Sequence, residues 1–261
     1  MISPDLHALG FDYPEWGDLV DAVMSANAVG IEDVGPFRGV ALYQDTDGAG
    51  VAVIGYSDAA PFTVTSLKGA RGFKVKAYQI YPSLALLDIY DDDDEMITRL
   101  LATVNDPHCY PIYTFGEPGK LAEYNDYRLS GATLDVKVYP TEEAWKADQT
   151  PLDTSDSPVP DMPDEMYIGP EFITSPWLFA LYSGDNEPEE ANSSSMFKGT
   201  ISSVELKTNP LTGHQWYRVE ASCSFPIVVA LPSDIKPAPV PGGVIDGNVM
   251  ILGSTGFWDR D

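Results

Sequence analysis

The residues in this chain that could do chemistry are few, and spacing decides what each is worth. The run VAVIGYSDA (51–59) places a strand-like segment before Gly55-x-Ser57-x-Ala59. A nucleophile elbow needs a strand, a strained turn that lifts the serine hydroxyl, and then a helix whose N-terminus helps hold the oxyanion. Ser57 has the strand and the first glycine, but an alanine stands where the second glycine belongs. The following AAPFTVTSL reads as loop and strand, so Ser57 is expected at a hairpin end. A base would have to come from His7, His108 or His214, the three histidines of the chain. His108 is followed directly by Cys109, and a thiolate–imidazole pair needs facing side chains, which sequence neighbours rarely present. Cys223 sits in a strand-like run, where a small buried thiol is the default.

Oxygen ligands for a hard cation are offered by Asp91-Asp92-Asp93-Asp94-Glu95. Consecutive side chains diverge on either a strand or a helix, however, and acids opening a helix complement its dipole. Asp45-Thr46-Asp47 begins like a calcium loop, then places Ala49 at the fifth position and Tyr56 at the twelfth. No Cys-x-x-Cys, His-x-x-x-His or His-Glu-x-x-His spacing occurs, nor any Gly-x-Gly-x-x-Gly or Gly-Lys-Ser/Thr loop. The sequence therefore assigns no catalytic, cofactor-binding or metal residue, and no cofactor.

The elements that would position these groups change character along the chain. PEWGDLVDAVMSANAVG (14–30) repeats apolar residues at Trp16, Leu19, Val20, Val23 and Met24, an amphipathic helix. RGVALYQ and GVAVIGYS flank Asp47-Gly48, a hairpin turn. FTVTSL and FKVKAYQIY alternate as strands, the second with Phe73, Val75, Ala77 and Ile80 on one face. LALLDIY reads as a strand. DDDDEMITRLLATVNDP (91–107) reads as a helix with Met96, Ile97, Leu100, Leu101 and Val104 as its stripe. ATLDVKVYP is a strand and TEEAWKAD a short helix capped by Thr141. From SPWLFALYS onward five strand-like runs follow, with NPLTG (209–213) as a turn between the second and third.

Charge divides the chain more sharply. Residues 1–147 hold 23 acids and 10 bases, residues 148–196 hold 11 acids and no base, and residues 197–258 hold four of each. DQTPLDTSDSPVPDMPDE (148–165), with four prolines, reads as an extended acidic linker, and SGDNEPEEANSSS (183–195) as a mobile acidic loop. The expected fold class is α+β: an N-terminal mixed α+β domain with an antiparallel sheet (1–147), the linker, and a small OB-like Greek-key β-barrel domain (166–261). The strings FKGTISSVELKTNPLTGHQWYRVEA and VPGGVIDGNVMILGS, within residues 197–253, resemble the C-terminal barrel of certain uncharacterised bacterial proteins. The matching features are turn and close-packing glycines, so the resemblance implies a barrel fold and no activity.

The whole chain of 261 residues carries a formal charge of −25. Nucleic acid and anionic membranes are excluded as partners, because binding to either begins with Lys and Arg on phosphates. Trp216 and Tyr217 are adjacent on a strand, so one faces a core and the other points out. With two cysteines, no basic-apolar leader and no apolar run of membrane length, a cytoplasmic setting is expected. The leading functional expectation is a non-enzymatic interaction protein whose acidic surface meets a basic protein. The alternative is a carboxylate- or metal-dependent hydrolase with its site between the two domains, recognisable by paired carboxyls of raised pKa in a cleft.

Overall fold

The computed structural model describes residues 3–57, 59–69, 72–153 and 165–259, with backbone alone at 152, 153 and 165. Most of the acidic proline-rich segment, residues 154–164, lies outside the described residues.

Two short helices, α1 (Pro4–His7) and α2 (Trp16–Ser25), lead into an antiparallel meander of β1 (Val29–Val34), β2 (Phe37–Gln44), β3 (Ala49–Tyr56) and β4 (Phe62–Leu67). α2 follows the apolar periodicity: Leu19 and Val23 are buried, while Trp16 and Met24 at the rim of the stripe are half exposed. The β2–β3 turn forms as expected, with Gly48 at φ +91° and one Asp45 oxygen accepting from the amides of Asp47 and Ala49.

The remaining strands build one mixed sheet of nine. In chain order these are β5 (Gly72–Tyr81), β6 (Leu84–Tyr90), β7 (Met96–Val104) and the long β8 (Ala122–Tyr139). After α3 (Glu142–Asp148) and a separate two-stranded pair, β9 (Leu152–Asp153) with β10 (Glu165–Met166), come β11 (Phe172–Thr174) and α4 (Pro176–Ser183). The sheet resumes with β12 (Ser194–Thr208), β13 (Gln215–Ser222), β14 (Pro226–Pro232) and β15 (Val244–Ser254).

The pairing closes on itself twice. β5, β6 and β7 form a meander; β7 runs parallel to β15, β15 antiparallel to β8, and β8 returns antiparallel to β5. β12, β13 and β14 form a second meander; β14 runs parallel to β8, and β15 closes the circuit between β8 and β12. Both five-membered circuits use the same antiparallel pair, β8 and β15. Each half of the chain thus completes its circuit with the other half's long strand. The expected boundary at 148–165 does not separate two sheets, and the strands of 166–261 are completed by β8 from before it. Charge marks what faces water; strand pairing follows the apolar alternation, which recurs in the strands on both sides of that boundary.

That alternation fills one continuous core. Phe73, Val75, Ala85, Leu87, Leu100 and Ala102 point into it from the first circuit, and Phe197, Val219, Ile227, Val229 and Ile251 from the second or the shared pair. Opposite faces are covered by other layers. Leu178 and Leu181 of α4 pack on Tyr78, Leu84, Leu86 and Leu101, while Leu9, Phe11, Leu19 and Val23 pack on Trp216, Val228 and Ala230. Trp216 is therefore buried and Tyr217 half-buried on the other side, as their adjacency requires.

Three elements differ from expectation. Residues 96–104 are a strand, and the acids before them close its hairpin: Asp91 accepts from the amides of Asp93 and Glu95, and Asp94 takes φ +63°. Residues 176–183 are a helix started by Pro176, with Gly184 in the left-handed conformation at its end. Ile80 lies on the face opposite Phe73, Val75 and Ala77, together with Tyr78, because side chains alternate along β5 and an even position cannot share the face of odd ones. The segment 184–191 forms turns closed by its own acids, Glu190 accepting from the Glu187 amide and the Asn186 amide group. Thr141 caps α3 as expected, accepting from the Ala144 amide at 3.1 Å. Among the described residues, no helix is long and apolar enough to cross a membrane.

Gly247 sits where β15 meets β8, at φ +151°, and a Cβ there would run into the Asp135 carbonyl. Gly247→Ala is expected to destabilise the protein by about 2–4 kcal/mol, through strain and disrupted pairing of the shared strands. The urea-unfolding midpoint checks this, with Gly169→Ala, whose surroundings are open, expected to shift it little.

Candidate functional site

The sequence's catalytic candidates are dispersed. Ser57 follows β3, its hydroxyl and amide both donating to the Pro36 carbonyl while Arg38 donates to its own carbonyl. The chain then proceeds to β4, so the strand-turn-helix of a nucleophile elbow is absent from these described residues. Asp91–Glu95 form the hairpin turn described above, and Asp94 pairs with Lys74 at 3.0 Å. Burial raises the Asp45 carboxyl above the usual range, partly offset by the amides it holds. Among the described residues there is no group of three His, Cys, Asp or Glu side chains placed to hold a metal ion.

His108 and Cys109 depart from expectation. The 3₁₀ turn Pro107–Cys109 folds the neighbouring side chains together, with Nε2 of His108 3.3 Å from Sγ of Cys109. Burial lowers the His108 pKa, which keeps the imidazole neutral, and the ring packs edge-on against Phe257 and Trp258. The adjoining Asp106 is fully buried; its Oδ2 accepts from the Thr255 amide and hydroxyl and from Ser254, and its Oδ1 from Tyr110. Burial raises the Asp106 carboxyl, and the four donors pull against that shift. These bonds fasten the C-terminal segment to the end of β7, a structural use of the group.

A concavity of about 370 Å³ beside β8, β15 and α3 gathers three carboxyls, Asp135, Asp148 and Asp246. Tyr139 and Lys137 hydrogen-bond Asp148 and lower its pKa, the opposite of what a general acid needs. Asp246 is occupied by Lys198 at 2.9 Å, by the Trp145 indole at 2.7 Å and by Gln149.

Two assemblies had no signature in the sequence. In the first, Asp12 bridges two histidines, His7 at 2.7 Å and His214 at 2.6 Å, and His7 also reaches Asp234 at 3.3 Å. It fastens the segment after α1 to the β12–β13 hairpin, alongside bonds from Asn209 to the Leu9 carbonyl and from Thr212 to the Gly10 carbonyl.

The second is a groove. Two adjoining concavities of about 450 and 570 Å³ share Ile80, Tyr81 and Ile112. One wall is Tyr56 and Phe62 of the four-stranded sheet. The far end is Phe115 and Leu181, with Glu187 and Glu189 on the turn after α4. Buried Gln79 sets the geometry: its amide group donates to the Pro107 carbonyl at 2.7 Å, and its oxygen accepts from the Ser83 amide at 2.8 Å. One side chain thus holds both the hairpin tip and the 107–113 segment. Among the described residues, no Lys, Arg or His lines either concavity. Such a surface can take up apolar side chains beside positive charge; it holds no nucleophile–base pair.

No family model, curated protein or solved structure matches this chain.

For the histidine clasp, partial burial depresses the His7 pKa, but hydrogen bonding and charge from Asp12, with Asp234 adding to them, outweigh it and leave it raised. A raised folded pKa gives stability that is fully present below the unfolded value and is lost as pH rises through the folded one. His7→Gln is therefore expected to destabilise more at about pH 6 than at about pH 8, by under about 1 kcal/mol because the pair is partly exposed. Urea midpoints at the two pH values check the sign.

Proposed function

We propose that this is a non-enzymatic interaction protein whose acidic exterior engages a basic protein partner. The observation that carries the reading is the state of the carboxyls. Among the described residues, the acids that line the concavities are exposed or held in ion pairs and hydrogen bonds, and Asp45 and Asp106, raised by burial, are engaged in a turn and in the C-terminal fastening. The charge therefore acts as a field over the surface, which speeds encounter with cations and suppresses anionic partners. A cytoplasmic setting belongs to the same proposal.

The strand order supports a finer fold reading in the same terms. In the first circuit the meander β5–β7 is followed by β8, which closes on β5, and by β15, parallel to β7; the second has the same cyclic order, except that β8, parallel to β14, precedes its meander in the chain. That is the order of an OB-like barrel, so we read the molecule as two OB-like circuits joined through a common pair. This is in keeping with the resemblance of residues 197–253. Aromatic side chains on such a barrel can stack on bases, but Trp216 is buried beneath the N-terminal layer.

A labelled lysine-rich peptide tests the functional reading. Its affinity for the full chain is expected to fall at least about tenfold between about 50 and 300 mM NaCl, as screening removes the field. Absence of binding at the lower salt, or binding indifferent to salt, would contradict it.

A further inference from the structure

The groove has a direction, and its open backbone says what fits. Ile112 is bridged to Gln79 in a parallel sense: the Gln79 amide donates to the Pro111 carbonyl at 2.8 Å, and the Tyr113 amide donates to the Gln79 carbonyl at 3.0 Å. In an extended segment, alternate residues present their polar groups to opposite sides. The amide and carbonyl of Ile112 therefore face away from β5, and among the described residues no hydrogen bond engages them. This edge lies in the groove beside exposed Tyr81 and Ile112 side chains. An edge of this kind accepts another extended segment by backbone hydrogen bonding, with pockets reading alternate side chains.

Charge sets the rest of the occupant. Glu187 and Glu189 stand at one end, and the lining contains no cation among the described residues. A second copy of the chain would bring −25 against −25, which disfavours self-association. We propose that the groove binds an extended cationic segment of another protein, with a large apolar side chain seated among Phe62, Tyr81 and Ile112 and lysine or arginine beside Glu187 and Glu189. This rests on the acidic-interaction reading above and adds to it a place and a shape.

The test uses the full chain and a labelled peptide alternating lysine and valine around one central phenylalanine, read by fluorescence anisotropy at low salt. Ile112→Asp is expected to weaken binding about tenfold or more although it adds negative charge, so the loss cannot come from weakened attraction. The double variant Glu187→Gln with Glu189→Gln is expected to weaken it about three- to tenfold and to flatten its salt dependence. Leu206→Asp, at an exposed apolar position on the β12–β13 hairpin, is expected to leave it within about twofold. The same peptide N-methylated at alternate residues should bind about tenfold more weakly, since strand addition needs its amides.

Circular dichroism confirms that each variant is folded; if Ile112→Asp does not fold, Ile112→Thr takes its place. Equal binding by wild type and folded groove variants would overturn the groove while leaving the acidic-surface reading standing. Loss of binding by the charge variants alone, with tolerance of Ile112 substitution and N-methylation, would overturn the strand geometry. Absence of peptide binding by any form would overturn both, and a groove-dependent dimer in concentrated protein would replace the foreign segment with a second copy.

Discussion

The antiparallel pairing of β8 with β15 is the contact on which the rest of the molecule depends. It runs from Val244 opposite Tyr139 to Ser254 opposite Arg128, with one register shift at Asn248. Both ends of this ladder are reused: residues 122–128 of β8 and 252–253 of β15 complete the first circuit, while 130–132 of β8 and 244–250 of β15 complete the second. Neither meander can bury its inner face without a long strand from the other half. A shared ladder of this kind closes both circuits, over two residues where β15 meets β7 and three where β14 meets β8, and makes their interiors one core, in which loss of either half exposes the other.

The outer layers follow from that arrangement. A closed sheet still has apolar residues on its outer face, and two different parts of the chain cover them, the N-terminal helices and sheet on one side and α4 on the other. The groove lies where these coverings stop short of each other, between Phe62 of the N-terminal sheet and the segment leading to β8. Three acids among the described residues are buried, each held by donors: Asp106 by Ser254, Thr255 and Tyr110, Asp88 by two bonds from Arg99, and Asp5 by the Ser3 and Thr65 hydroxyls. The other acids whose burial is described are exposed or only partly buried, so most of the negative charge is spread over the outside. In the proposed reading, that distribution supplies the field of a binding surface.

What was legible in the sequence was local. α2 shows in the spacing of Leu19 and Val23, the β2–β3 turn in Asp47-Gly48, and the α3 cap in Thr141, because each depends on residues within one or two turns of chain. Residues 96–104 misled because Met96, Ile97, Leu100, Leu101 and Val104 suit a helical stripe, and only pairing with β6 makes them a strand. Residues 176–183 are apolar nearly throughout, so no period separates helix from strand. The first half of β8 escaped notice because Glu123, Asn125, Asp126 and Arg128 give it a polar face. Neither the sharing of strands nor the meeting of His7, Asp12 and His214 has a local signature, since both join residues far apart in the chain. The groove was unreadable for the same reason, being assembled by Gln79 from segments that the sequence shows only as separate pieces.

Native-state hydrogen exchange in increasing denaturant tests the central claim most directly. If the β8–β15 pair makes one body of both circuits, the slowest amides of β5–β7 and of β12–β14 should converge on a single unfolding free energy, the same as that of residues 128–139 and 244–254. Two separate values, with one meander opening while the other and the long strands stay protected, would show that the halves are independent and that the shared ladder does not hold the molecule together.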